Sequence, residues 1–158
     1  MSRSCYSDDY GDDFPGQLNL YRANVERSIR SKAGQARLRE LRDALLALPV
    51  KALEANTFAD GTVDAPKVCA LGAWALARTG DPQSAHKMVP TDADDHDTYD
   101  ALKSHGWPKL VVLESIFVND EGNYWRSETP EQRYARVLAW VEGQIFKPSR
   151  EPGKDTAV

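Results

Sequence analysis

The sequence predicts an all-α protein, a compact orthogonal or bundle-like domain of about five to six helices with room for one minor short strand pair. Three observations carry this prediction. Apolar residues recur at spacings of three and four along most of the chain, helix start and stop residues bracket those runs, and strand-length alternation is scarce. At 158 residues with 41% hydrophobic residues, the chain is long enough to bury one core without disulfide or metal staples.

The elements follow in order. Leu18, Tyr21, Val25 and Ile29 form the stripe of a first helix, which Ser31 to Gly34 interrupts. Leu38, Leu41, Leu45 and Leu48 repeat the spacing up to Pro49, with Ala36, Ala44 and Ala47 favouring the helical state. Val50 to Asn56 reads as a short helical turn, and Asp60-Gly61 has the turn chemistry of the strand pair. Asp64, Pro66 in the first turn and Gly80 past the end bracket a third helix through Cys69, Gly72, Ala73 and Leu76. Its small residues let a neighbour approach closely, which places it in the middle of the bundle. Asp81 to Pro90 reads as loop. Thr91 or Asp92 caps a polar helix reaching about to Ser104, with Gly106 as its stop. Pro108 opens a helix with Leu110, Leu113 and Phe117 on one face, ending between Asn119 and Gly122. Thr129-Pro130-Glu131-Gln132 has the form of a capping box, followed by the stripe Tyr134, Val137, Leu138, Val141 and Ile145. The expected organisation is an acidic leader over 1–16, a helical domain over 17–146 and a disordered tail over 147–158.

Composition excludes several function classes. The two cysteines, Cys5 and Cys69, are too few for a disulfide framework and suggest a reducing compartment. The aspartate-rich start is not a signal peptide, and no apolar run approaches the roughly 20 residues of a membrane helix, so a cytoplasmic protein with no membrane partner is expected. A phosphate loop, a nucleophile elbow and paired metal-ligand spacings are all missing, so no cofactor, no metal and no catalytic residue are assigned. The run from Asp92 to Asp97 resembles a calcium loop only superficially, because Asp97 stands where such a loop needs glycine and Lys103 where it needs glutamate. Cys69, between Val68 and Ala70, reads as a small core hydrophobe.

Two sets of residues stand out as binding candidates. Arg27, Arg30, Arg39 and Arg42 lie on the first two helices and could face an acidic partner, nucleic acid phosphates or the leader's own aspartates. Asn119, Asp120 and Glu121, followed by Tyr124 and Trp125, could form a polar pocket with an aromatic lid, or a helix end pinned to the core. Trp74, Trp107 and Trp140 read as core anchors.

The opening Met1 to Asp9, the stretch Ile29 to Ala36 leading into Leu41-Arg42-Asp43-Ala44-Leu45, the segment Val68-Cys69-Ala70-Leu71-Gly72, and Asn119-Asp120-Glu121-Gly122 with Glu128 to Arg133 together resemble small uncharacterised helical proteins of tailed phages and proteobacterial prophages. The resemblance implies a phage or prophage gene acting in a bacterial cell, and no catalytic residue to carry over. It implies a noncatalytic accessory protein that binds a host or phage protein, a class that includes inhibitors of host defence. Two alternatives stand beside it. One is a nucleic-acid-binding regulator using the arginine face, against which the sequence pI of about 5.4 weighs. The other is a small enzyme assembled from Asp120, Glu121 and His96 or His105.

Overall fold

A computed structural model describes residues 15–121 and 127–147, with side chains from Asn19 onward. Among these residues seven α-helices and one short antiparallel strand pair form a mostly helical fold, as the periodicity predicts. The predicted leader lies almost wholly outside the described residues, and so does all of the predicted tail after Lys147.

α1 (Pro15–Arg30) and α2 (Lys32–Ala47) are separated by Ser31 alone. Ser31 ends one helix and starts the next: its hydroxyl accepts from the Gly34 amide at 3.0 Å and donates to the Ser28 carbonyl at 2.6 Å. The chain then turns so tightly that a Cβ at Gly34 would lie 2.1 Å from the Ser28 carbonyl oxygen. Leu38, Leu41 and Leu45 are fully buried, as their spacing requires.

The segment predicted as a helical turn at 50–56 is not helical, because its backbone is bonded elsewhere. The Leu53 amide donates to the Pro130 carbonyl at 3.0 Å and the Glu54 amide to the Val68 carbonyl at 2.9 Å. β1 (Ala59–Gly61) pairs with β2 (Pro66–Val68) in the register Ala59 to Val68, Asp60 to Lys67 and Gly61 to Pro66. Pro66 therefore opens a strand rather than a helix. α3 (Ala70–Thr79) starts later than predicted, with Cys69 as its N-cap and left-handed Gly80 as its stop.

α3 is the centre of the molecule. Residues Ala70 to Ala75 are all buried, and the helix packs on α2, on α4 (Pro82–His86) and on α6 (Lys109–Asp120). Its small face admits a loop rather than a helix. The Phe58 carbonyl oxygen comes so close to Gly72 that a Cβ there would lie 1.6 Å from it. This approach holds the 57–58 backbone against the start of α3, where the Cys69 amide donates to the Thr57 carbonyl at 3.0 Å.

α4 lies in the stretch predicted as loop. Asp81 caps it, accepting from the Gln83 and Ser84 amides at 2.9 and 3.2 Å, with Pro82 in the first turn. α5 (Asp95–Leu102) begins after the predicted start. Its cap is Asp94, closed by a reciprocal bond with Asp97, and a 3₁₀ turn over Lys103–His105 leads to left-handed Gly106. α7 (Pro130–Gln144) has the predicted capping box between Thr129 and Gln132.

Two polar residues staple the bundle. Gln35, buried, donates to the Ile29 and Gln144 carbonyls at 2.9 Å each and accepts from the Phe146 amide at 2.9 Å, which ties the ends of α1 and α7 to α2. Arg133 and Arg136 of α7 reach the last carbonyls of α6, Arg133 donating to Asn119 at 3.1 Å, and both pair with Glu128. Trp74 and Trp107 are the core anchors expected of them, with ring centroids 5.4 Å apart in an edge-on arrangement.

Candidate functional site

A cleft of about 380 Å³ lies beside the N-terminus of α3. Local backbone geometry builds its floor. Cys69 is extended at φ −80°, ψ −179°, and its Sγ accepts from the Gly72 amide at 3.3 Å, so the thiol caps α3 and faces the cleft. The 56–60 segment forms one wall, held by the Gly72 approach. The 89–95 loop and Thr98 of α5 form another, and Ile116 and Asp120 of α6 complete it.

Two residues at the rim have left-handed backbones without being glycine, Asn56 at φ 56° and Asp92 at φ 57°. Asparagine and aspartate tolerate this region better than other side chains, and both residues line the cleft. Asn56 is held there by Asp120, whose Oδ1 accepts from the Asn56 amide at 3.1 Å and from Asn119 Nδ2 at 2.8 Å.

The chemistry of the lining is mixed. Phe58, Leu71, Val89 and Ile116 supply apolar wall, whereas Asp60, Asp92, Asp95 and Asp120 bring four carboxylates from three separate parts of the chain. No lysine or arginine lines the cleft among the described residues; Lys67 stands opposite Asp60 across the strand pair. His86, at the end of α4, has Nδ1 2.9 Å from the Ala59 carbonyl oxygen. A carbonyl only accepts, so Nδ1 carries the hydrogen and Nε2 is the acceptor of the neutral ring.

Cys69 is electrostatically quiet. Burial pushes its thiol up to about 12; the Gly72 amide acts in the opposite direction, and the Asp120 carboxylate adds to the rise. A helix start would favour a thiolate, but desolvation outweighs it here. The residue is half-buried on the cleft wall, so it is a cap as well as the core-packing group expected from its apolar neighbours.

The residues singled out in the sequence have diverse fates. Asp120 lines the cleft. Asn119 is 1% exposed and locked: its Oδ1 accepts from the Ala70 amide at 3.0 Å, and its Nδ2 donates to the Glu54 carbonyl at 2.9 Å as well as to Asp120. It fastens the backbone behind the cleft and, with Cys69, Ile116 and Asp120, lines a small adjoining cavity of about 20 Å³. Glu121 is the C-cap of α6 and does not line the cleft, and Tyr124 and Trp125 fall outside the described residues. His96 and His105 do not line it either; His105 packs edge-on against Trp74 with centroids 5.6 Å apart. The enzyme constellation of Asp120, Glu121 and a histidine is thus not brought together there. Among the described residues no group of three or more histidine, cysteine or acidic side chains is arranged to hold a metal ion.

The four arginines lie away from the cleft. Arg27 and Arg30 are exposed in the last turn of α1, with Arg27 donating to Asn24 at 3.1 Å. Arg39 reaches the Phe146 carbonyl at 3.4 Å, and Arg42 is paired with Asp43 at 2.9 Å. Asn56 and His86 carried no site signal in the sequence, Asp60 read only as part of a turn with Gly61, and the Asp92 to Asp97 run read only as a capping stretch. The positive φ at Asn56 and the hydrogen bond that joins Asn56 to Asp120 across 64 residues are properties of the folded chain.

No described helix is long and apolar enough to cross a membrane. Comparison with protein-family models, with curated proteins and with solved structures gave no match to the chain.

Proposed function

We propose that the chain is a noncatalytic accessory protein of a phage or prophage that binds a host or phage protein, and that the cleft beside Cys69 receives that partner. The cleft itself carries the reading. It is a concave site of about 380 Å³ with carboxylates set among apolar walls, and its thiol is held protonated. Such a lining recognises and orients a group without supplying a nucleophile. The phage setting rests on the resemblance carried together by Met1 to Asp9, Ile29 to Ala36 with Leu41 to Leu45, Val68 to Gly72, and Asn119 to Gly122 with Glu128 to Arg133.

The nucleic-acid reading is supported by Arg27 and Arg30, which are exposed and pair with no carboxylate among the described residues. It is weakened at Arg42, where Asp43 neutralises the guanidinium.

The test is affinity capture from lysate of a phage-sensitive bacterium with the intact chain and two charge-reversed variants, Asp92→Lys in the cleft and Arg27→Glu with Arg30→Glu on α1. Recovery of one protein by the intact chain and by the arginine variant, but not by Asp92→Lys, is the expected result. Recovery of nucleic acid alone, lost with the arginine variant and at raised salt, would replace this reading with the regulator.

A further inference from the structure

The cleft divides by chemistry into an apolar part and an acidic part, and this division restricts what it can hold. Phe58 and Ile116 offer partly exposed apolar surface, whereas Asp92 and Asp120 present charge on different elements. Asp92 is exposed and makes no hydrogen bond among the described residues through its side chain. Asp120 accepts two bonds on Oδ1, which leaves Oδ2 as an acceptor.

No group of three or more histidine, cysteine or acidic side chains among the described residues is arranged to hold a metal ion. A small ion would therefore meet too few ligands at once. A flat or branched cation on an aliphatic stem fits the division better, because the stem covers apolar wall while several N–H donors reach separated carboxylates.

Resting on the reading of the cleft as a partner site, we infer that it takes an arginine or lysine side chain of the partner protein, with the methylene stem on Phe58 and Ile116 and the cationic head between Asp92 and Asp120. Arginine is the better fit, since a guanidinium has five donors in a planar fork and an ammonium has three around one point.

The experiment is titration of the isotopically labelled full chain with n-butylguanidinium, its neutral isostere n-butylurea, calcium chloride and the blocked tripeptide acetyl-Ala-Arg-Ala-amide, read by amide chemical shifts. Saturable shifts at Asn56, Thr57 and Ala93 with n-butylguanidinium and the tripeptide, and none with n-butylurea, are expected. Asp92→Asn, which keeps a side chain suited to positive φ, and Asp120→Asn, which keeps an acceptor for the Asn56 amide, should each weaken binding roughly threefold to tenfold. Equal response to n-butylurea, saturation by calcium at the same amides, or no saturable shift with either guanidinium probe overturns the assignment. Binding of n-butylguanidinium without the tripeptide overturns the protein source and points to a free small cation. Because the titration needs no partner, a failure here with capture intact removes only the ligand class, and lost capture with this response intact removes the protein-partner reading.

Discussion

The thiol of Cys69 gives the cleft chemistry a quantitative test. At about pH 7.4 an ordinary cysteine of pKa about 8.5 is roughly 7% thiolate, whereas a thiol raised to about 12 is roughly 0.003% thiolate, a ratio of about 3,000. Nucleophilicity rises with basicity, with a Brønsted coefficient of about 0.45 for attack on a disulfide, which returns a factor of about 40. The net expectation is reaction with an aromatic disulfide reagent about 80-fold slower than free glutathione. The assay uses the Cys5→Ser variant, so that Cys69 is the single thiol of the chain, and follows absorbance under native conditions and in denaturing urea. Full reactivity in urea, a slow native rate and a continued rise with pH beyond about 10 are expected. Asp120→Asn should accelerate the native reaction, because it removes a negative charge that disfavours the thiolate. A native rate within about threefold of glutathione, levelling off near pH 8 to 9, would refute the argument that desolvation outweighs the helix start.

Three further outcomes follow from the packing around the cleft. Asn119→Leu leaves the Ala70 amide and the Glu54 carbonyl without their partner, at about 1–3 kcal/mol each, so urea denaturation should show a loss of about 2–6 kcal/mol; a change below about 1 kcal/mol contradicts the staple role. Gly72→Ala places a methyl group 1.6 Å from the Phe58 carbonyl oxygen and should lower stability by about 3 kcal/mol while shifting the amide resonances of 57–60; an unperturbed 57–60 segment counts against the close approach. Glu114 of α6 is 4% exposed, and burial raises its carboxyl above the ordinary 4.5 against the opposing pull of Arg22 at 3.0 Å. A raised folded pKa means that this stability term is complete below pH 4.5 and is lost as pH rises through the folded value. Melting temperatures of the wild type should therefore fall relative to Glu114→Gln as pH rises above 4.5, and parallel profiles would show that Arg22 fully compensates the burial.

The sequence by itself determined what depends on near neighbours. The stripes Leu38, Leu41, Leu45 and Tyr134, Val137, Val141 appear as buried faces of α2 and α7, and the Thr129 box and the Gly80 and Gly106 stops stand where predicted. Each of these depends on residues within about one turn of one another, which is the range over which periodicity and capping act. Even α4 had such a signal, since Asp81-Pro82 is an aspartate cap followed by proline. Only the tertiary structure decided the segment from Val50 to Cys69. Its backbone bonds go to Pro130, to the opposite strand and to the start of α3, so local propensity for a helix at 50–56 or 64–69 was overruled by distant partners. The cleft belongs to the same category. Asn56, Cys69, His86, Asp92 and Asp120 adjoin because Gly72 admits the Phe58 backbone and Asn119 bonds both α3 and the Glu54 carbonyl. The arginines, conspicuous as a local pattern, lie elsewhere, because exposed charge follows helix phase whereas a concave site requires several elements to pack around it.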